Sequence, residues 1–177
     1  GNKALGDSVN TKVSLNKANT TVPATSTASA SSDVYDVSSI VENCMPSVVS
    51  ITNVGTQEFR TIFGNYEQES QSSGSGIIIG KNDTELLIVT NNHVVEGADT
   101  LSASFIDNSV YEATIKGTDS DNDLAVIAVP LSSISDDTMS QIAVAAVGDS
   151  DSLKVGEQVV AIGNALGYGQ SVTTGIV

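Results

Sequence analysis

Residues 48–177 carry short β-branched runs broken by turn residues every ~8–12 positions, a rhythm that restricts the fold more than any single motif. Val48–Thr52, Gly76–Gly80, Glu85–Thr90, Leu101–Ile106, Val110–Gly117, Leu124–Pro130, Ile142–Val147, Val155–Gly163 and Val172–Val177 are each strand-sized. Asp107-Asn108-Ser109 separates two alternating runs, which predicts a hairpin of Leu101–Ile106 with Val110–Gly117. Many short strands and little helix predict an all-β barrel or sandwich. Val54–Ser73 breaks the rhythm. It is polar, with Phe59, Ile62, Phe63 and Tyr66 scattered without a period, and reads as an extended loop with at most a short strand. The one helical pattern is Asp36–Met45, where Val37, Ile40, Val41 and Cys44 recur on one face, with Asp36 as N-cap and Pro46 as stop. Cys44 on that stripe reads as a buried small hydrophobe.

Composition narrows the classes of function. Seven Lys and Arg stand against 21 Asp and Glu, so the basic patch that nucleic-acid binding requires is missing, as is a surface that would dock on anionic lipid. The imbalance lies in the body. Residues 1–32 hold Lys3, Lys12 and Lys17 against Asp7 alone, and every other acid lies beyond them. Residues 1–33 are mostly Ser, Thr, Ala and Asn, too poor in large apolar groups to offset the entropy of ordering, and read as a linker. A lone Cys44 excludes an internal disulfide framework. No apolar run approaches the ~20 residues needed to span a bilayer. The chain starts at Gly1 without a visible signal peptide, which suggests a processed product or a piece of something longer, with any membrane anchor upstream.

Four constellations could carry chemistry. Gly74-Ser75-Gly76 lacks the Gly-Lys-Ser/Thr and helix of a phosphate loop and reads as close backbone packing. Gly163–Gly169 lacks a dinucleotide site's strand–turn–helix context and reads as a turn. Asp119-Ser120-Asp121-Asn122-Asp123 opens like a calcium loop, but Leu124 and Pro130 stand where an EF-hand needs Gly and Glu. One His and one Cys cannot build a tetrahedral zinc site of N and S ligands, so neither metal nor cofactor is expected. The fourth is His93 with Asp123. Alone, the chain's one histidine could be structural and Asp123 a turn acid. Together they match the need of a catalytic imidazole for a carboxylate that fixes its tautomer. Asp123 opens a very apolar strand, where burial is expected, whereas Asp119 and Asp121 are expected to be more exposed.

The chain resembles the protease domain of HtrA/DegP-type, trypsin-like serine proteases. The resemblance rests on Pro46–Ile51, Ser73–Ile78, Thr90-Asn91-Asn92-His93-Val94-Val95, Gly117-Thr118-Asp119 with Asp123-Leu124-Ala125-Val126, Gly148–Asp151, Val155–Asn164 and Ser171–Val177, in order, from about residue 34 onward. It implies a double β-barrel with a Ser-His-Asp triad in the cleft, His93 as general base and Asp123 as its orienting acid. The first barrel would span about 34–135 and the second would begin over about 142–177. Residues 1–33 would be the linker that joins an N-terminal membrane anchor to the protease in Gram-positive relatives.

One departure is large. The Gly-Asn-Ser-Gly-Gly turn that carries the nucleophile in the family does not occur in these 177 residues, and none of the serines after Asp123 has its glycine context. The family's C-terminal peptide-binding PDZ domain is likewise not found. The chain therefore reads as truncated before the serine, inactive by itself, and part of an endopeptidase acting on misfolded or surface polypeptides. The resemblance further implies an extracytoplasmic, cell-surface location and a homo-oligomer, a trimer by analogy. A non-catalytic barrel that binds polypeptide is the alternative reading.

Overall fold

The computed structural model describes residues 14–17, 36–62, 64–164 and 171–177. The elements in chain order are β1 (Asn16–Lys17), α1 (Ser38–Cys44), β2 (Val48–Thr61), β3 (Gly64–Lys81), β4 (Glu85–Thr90), α2 (Asn92–Val95), β5 (Thr100–Ser104), β6 (Val110–Glu112), β7 (Thr114–Asp119), β8 (Leu124–Pro130), α3 (Asp136–Gln141), β9 (Ala146–Val147), β10 (Gln158–Gly163) and β11 (Ser171–Ile176). Seven strands form one sheet in the order β6-β5-β2-β3-β4-β8-β7, and neighbouring strands run antiparallel.

The two edge strands, β6 and β7, are separated in sequence only by Ala113. Successive Cα atoms lie about 3.8 Å apart, so the two edges of the sheet must meet there, and a sheet whose edges meet is rolled into a barrel. Ala113 is held at that corner by its N–H, which donates to Leu101 O at 2.8 Å. β7 is exposed throughout; Phe105, just after β5, and one face of β2, β3, β4, β5 and β8 fill the barrel interior, with Val49, Ile51, Ile78, Ile88, Ile127 and Val129 among the strand residues. These β-branched residues alternate with outward residues, which ties the period of two in the sequence to one buried face. Phe105 meets Tyr111 edge to face, with ring centroids 5.7 Å apart. The expected hairpin around Asp107–Ser109 is present as β5–β6, with Asn108 at φ 64° in the turn, but only over Val110–Glu112, since Thr114–Gly117 pair with β8 instead. A separate antiparallel pair, β10–β11, follows the barrel.

Four expectations need correction. Val54–Ser73 is no loop. β2 and β3 form one continuous hairpin, paired from Val48↔Ile77 to Thr61↔Gly64. Beyond Val54 the β5 partner ends, and the sequence there shows no hydrophobic alternation. Cys44 is exposed, because α1 buries none of its residues and the chain turns inward only at Met45. Pro46 sits inside a 3-10 turn, Met45–Ser47, rather than ending a helix. The N-cap of α1 is Val37, while Asp36 Oδ1 accepts from Ser38 N at 2.9 Å. Only Ala146–Val147 of the Ile142–Val147 run is a strand, and α3 precedes it, capped by Ser135, whose hydroxyl accepts from Thr138 N. The sequence carried that signal in Ser135-Asp136-Asp137, an N-cap followed by first-turn acids.

Of the segment read as a linker, Ser14–Lys17 are described, and Asn16–Lys17 pair in parallel with Ala146–Val147. Residues 165–170 of the expected Gly-rich turn lie outside the described residues. Gly76 packs as expected for close backbone approach. A Cβ there would sit 2.7 Å from Ile51 Cδ1 and 2.8 Å from Ile88 Cγ2, both fully buried. Overpacking a core costs about 1–3 kcal/mol. Gly76→Ala should therefore lower the urea unfolding midpoint by that equivalent. Gly148→Ala, with nothing near its added methyl, should leave the midpoint unmoved.

Candidate active site

The polypeptide leaves β4 at Thr90, whose hydroxyl donates to Ser75 O on β3 at 2.8 Å. It then makes the single turn α2. A helix of four residues cannot hold itself together, so its position must come from tertiary contacts. Val94 and Val95 are buried. The methyls of Val94 fill the space that a side chain on Gly74 would need, since a Cβ there would lie 2.5 Å from Val94 Cγ2. The buried Asn53 on β2 donates its amide to Val94 O at 2.9 Å and to Glu96 O at 3.0 Å, satisfying two carbonyls at the end of α2. His93 is thereby turned outward from a fixed backbone.

Asp123 comes from the turn between β7 and β8. Asp119 organises that turn. Its Oδ1 accepts from the N–H groups of Asp121 and Asn122, both at 3.1 Å, and its Oδ2 accepts from Asn122 Nδ2 at 2.7 Å. The turn closes with Asp123 at φ 52°, a left-handed conformation that Asp tolerates better than most residues. Asn91 Nδ2 donates to Asp123 O at 3.0 Å and ties the two turns together.

The two residues singled out in the sequence meet directly. Asp123 Oδ1 accepts the His93 backbone N–H at 2.9 Å, and Asp123 Oδ2 lies 2.7 Å from His93 Nδ1. The backbone N–H of His93, then its imidazole, hold the Asp123 carboxyl below its ordinary value. An ionised carboxylate can only accept, so Nδ1 carries a proton, and in the neutral imidazole Nε2 presents a lone pair. Such an imidazole can take a proton from a hydroxyl brought to Nε2. Among the described residues no serine hydroxyl is hydrogen-bonded to the His93 ring. The expectation of a buried Asp123 does not hold, since the two side chains are 70% and 46% exposed. The pair lies open at the end of the β4–β8 strands, with bonds to His93 rather than burial setting the carboxylate.

A cavity of about 420 Å³ adjoins His93. Asn53, Ser70 and Ser72 of the β2–β3 hairpin line it on one side, with Glu96 and Gly97 on the other. Among the described residues no group of three or more His, Cys, Asp or Glu is arranged to hold a metal. Asn53 and Asn91 had no role in the sequence reading, and Asp119 was weighed there only as a calcium-loop acid and a poorer partner for the histidine. Asn91 lay within the quoted histidine motif, whereas nothing local marked Asn53, whose partners are 41 and 43 positions away.

Comparison with known proteins gives a consistent set of likenesses. Residues 74–177 match a family model described as a trypsin-like peptidase domain. The chain is 42% identical over 154 residues to the serine protease Do-like HtrA of Bacillus subtilis (strain 168), covering 83% of this chain and 33% of that protein. It is 35% identical over 151 residues to the periplasmic pH-dependent serine endoprotease DegQ of Escherichia coli (strain K12), covering 78% and 31%. A solved HtrA-type protease, AlgW with a decapeptide, superposes with a TM-score of 0.66 at 27% identity, covering 80% of this chain and 44% of that one. The chain thus spans about a third of the length of the curated relatives named here.

The Asp123 geometry sets a pH dependence. Its folded pKa lies below the ordinary 3.8, so its contribution to stability is complete above that value and disappears as pH falls through the lowered one. The Asp123 carboxyl carbon, followed by NMR, should titrate below 3.8. In His93→Ala it should move part of the way back, because the backbone N–H at position 93 still donates; an unmoved midpoint would contradict the assignment of cause. Asn53→Ala should cost about 1–3 kcal/mol, the penalty for stranding buried carbonyls, and should speed hydrogen exchange in α2 before the rest of the barrel.

Proposed function

The chain belongs to the HtrA/DegP-type trypsin-like serine peptidases, and on that premise we propose that the full-length protein is a serine endopeptidase with His93 as general base and Asp123 as its orienting acid. The observation that carries this reading is the two-point contact of Asp123 with the N–H and Nδ1 of His93. A serine hydroxyl at Nε2 would lose its proton to the imidazole as Oγ attacks the scissile carbonyl. The resulting imidazolium, stabilised by Asp123, would return that proton to the leaving amine, and water would hydrolyse the acyl-enzyme by the same route.

The attacking serine is supplied from outside these 177 residues, and the chain alone is inactive. Two facts support this. The family's Gly-Asn-Ser-Gly-Gly turn does not occur in the sequence, and the relatives are about three times as long as the part matched. The substrates are misfolded or surface polypeptides. The open position of His93 suits a polypeptide reaching it from solvent. A solved HtrA-type relative is described with a decapeptide. The place of action is extracytoplasmic, in keeping with the periplasmic relative named above. Anchoring to a membrane upstream of Gly1 and assembly into a homo-oligomer, a trimer by analogy, belong to the same proposal. No helix among the described residues is long and apolar enough to cross a membrane.

Cleavage of an unfolded protein by the full-length enzyme tests the reading. His93→Ala should lower kcat by about 10⁴–10⁶, and Asp123→Asn by about 10⁴ through the wrong imidazole tautomer. Wild-type cleavage by His93→Ala would refute the role given to the histidine. Tight binding of unfolded polypeptide with no cleavage by the unmodified protein would establish the alternative, a non-catalytic binding barrel.

A further inference from the structure

The cavity beside His93 has a chemical character that the proposed reaction leaves unused. Its hairpin wall is polar. Register and alternation put Asn53, Gly55, Ser70 and Ser72 on one face of β2–β3, because Asn53 pairs with Ser72 and Gly55 with Ser70. Asn53 fixes which face this is, since its amide reaches back to Val94 and Glu96 on the histidine segment. The hydrogen-bonding capacity of this wall is unevenly occupied. Asn53 is bound to two carbonyls, and Ser70 Oγ donates to Gly55 O at 3.2 Å. Ser72 Oγ and the Glu96 carboxylate have no hydrogen-bond partner among the described residues, and both residues line the cavity.

Glu96 is also the one acidic residue of that lining. It follows α2 directly, three positions after His93, and its backbone is fixed at both ends. Its N–H donates to Asn92 O at 3.0 Å, and its carbonyl accepts from Asn53. Glu96 is therefore held on an anchored backbone, beside the cavity that His93 also lines. A polypeptide whose scissile bond reaches His93 would bring its neighbouring residues within reach of this cavity, which His93 itself lines.

We propose that the cavity formed by the β2–β3 hairpin and the Glu96–Gly97 segment is a substrate subsite that selects a basic side chain next to the scissile bond, with Glu96 as the specificity-determining residue. This rests on the endopeptidase reading above. Lys or Arg there would gain an ion pair with Glu96 and a hydrogen bond to Ser72. An acidic side chain would face like charge, and a large aliphatic one would leave Ser72 without a partner. Glu96 is exposed, so the discrimination is that of a solvent-screened pair, about two- to fivefold in kcat/KM.

The test uses the full-length protein and matched peptides carrying Lys or Glu at each position flanking the scissile bond, at low salt. At one position the Lys/Glu ratio of kcat/KM should exceed unity by about two- to fivefold. It should fall towards one in Glu96→Gln and invert in Glu96→Lys. Glu112→Gln, on β6 and outside the cavity lining, should keep the wild-type ratio, which separates a local contact from the field of the whole acidic body. A flat Lys/Glu profile with normal cleavage overturns the subsite and leaves the protease reading intact. A ratio unchanged in Glu96→Gln does the same. Absence of all cleavage by the unmodified full-length protein overturns both.

Discussion

The site depends on the contact that Asp123 makes with one residue at two points. A carboxylate bonded to the imidazole alone would leave the ring free to swing about its side-chain torsions. Bonding the backbone N–H of the same residue fixes the carboxylate to the main chain of α2, so ring and acid share one frame. That contact exists because β4 and β8 are neighbours in register. Thr90 pairs with Ala125, which brings the turn after β4 beside the turn before β8. A slip of one residue would turn Ile88 and Ile127 out of the core and separate His93 from Asp123 at once. The core that stabilises the barrel and the geometry of the pair are set by the same register.

Two glycines allow the histidine segment to lie where it does. Gly74 makes room for Val94, and Gly76 makes room for Ile51 and Ile88. The first holds α2 against β3, and the second lets the barrel wall close beneath it. The Gly-Ser-Gly stretch thus acts through what it omits, while its serine adds polar links. Ser75 accepts from Asn164 N at 2.7 Å through Oγ, and its carbonyl accepts from Thr90. This stretch therefore connects the first sheet, the histidine turn and the residue that follows β10.

The barrel strands were legible in the sequence wherever they had one buried face, because alternation records burial. The β2–β3 hairpin beyond Val54 was not, since the β5 partner ends there and the polar sequence carries no hydrophobic alternation. Cys44 was misplaced for a related reason. Helical spacing was present, but spacing cannot say whether anything lies against the stripe, and α1 lies on the surface. His93 and Asp123 were found because each is distinctive in its local context and the family resemblance pairs them. Asn53 was invisible, since an Asn in a strand declares its role only when the carbonyls of a remote segment are brought to it. The exposure of Asp123 was missed because an apolar strand start was taken to imply burial, whereas the turn shaped by Asp119 carries the carboxylate outward.

The pair needs nothing from β10–β11 for its geometry. Among the described residues, every hydrogen bond that positions His93 or Asp123 comes from β2, β3, β4, Asn91, α2 or the β7–β8 turn. An imidazole and the carboxylate bonded to it can therefore be preorganised by one rolled sheet. That arrangement follows from topology. Adjacent antiparallel strands bring their connecting turns together at one end of a sheet, so two turns suffice for a histidine and a carboxylate. Nε2 is the ring nitrogen left for a third group, because the carboxylate holds Nδ1.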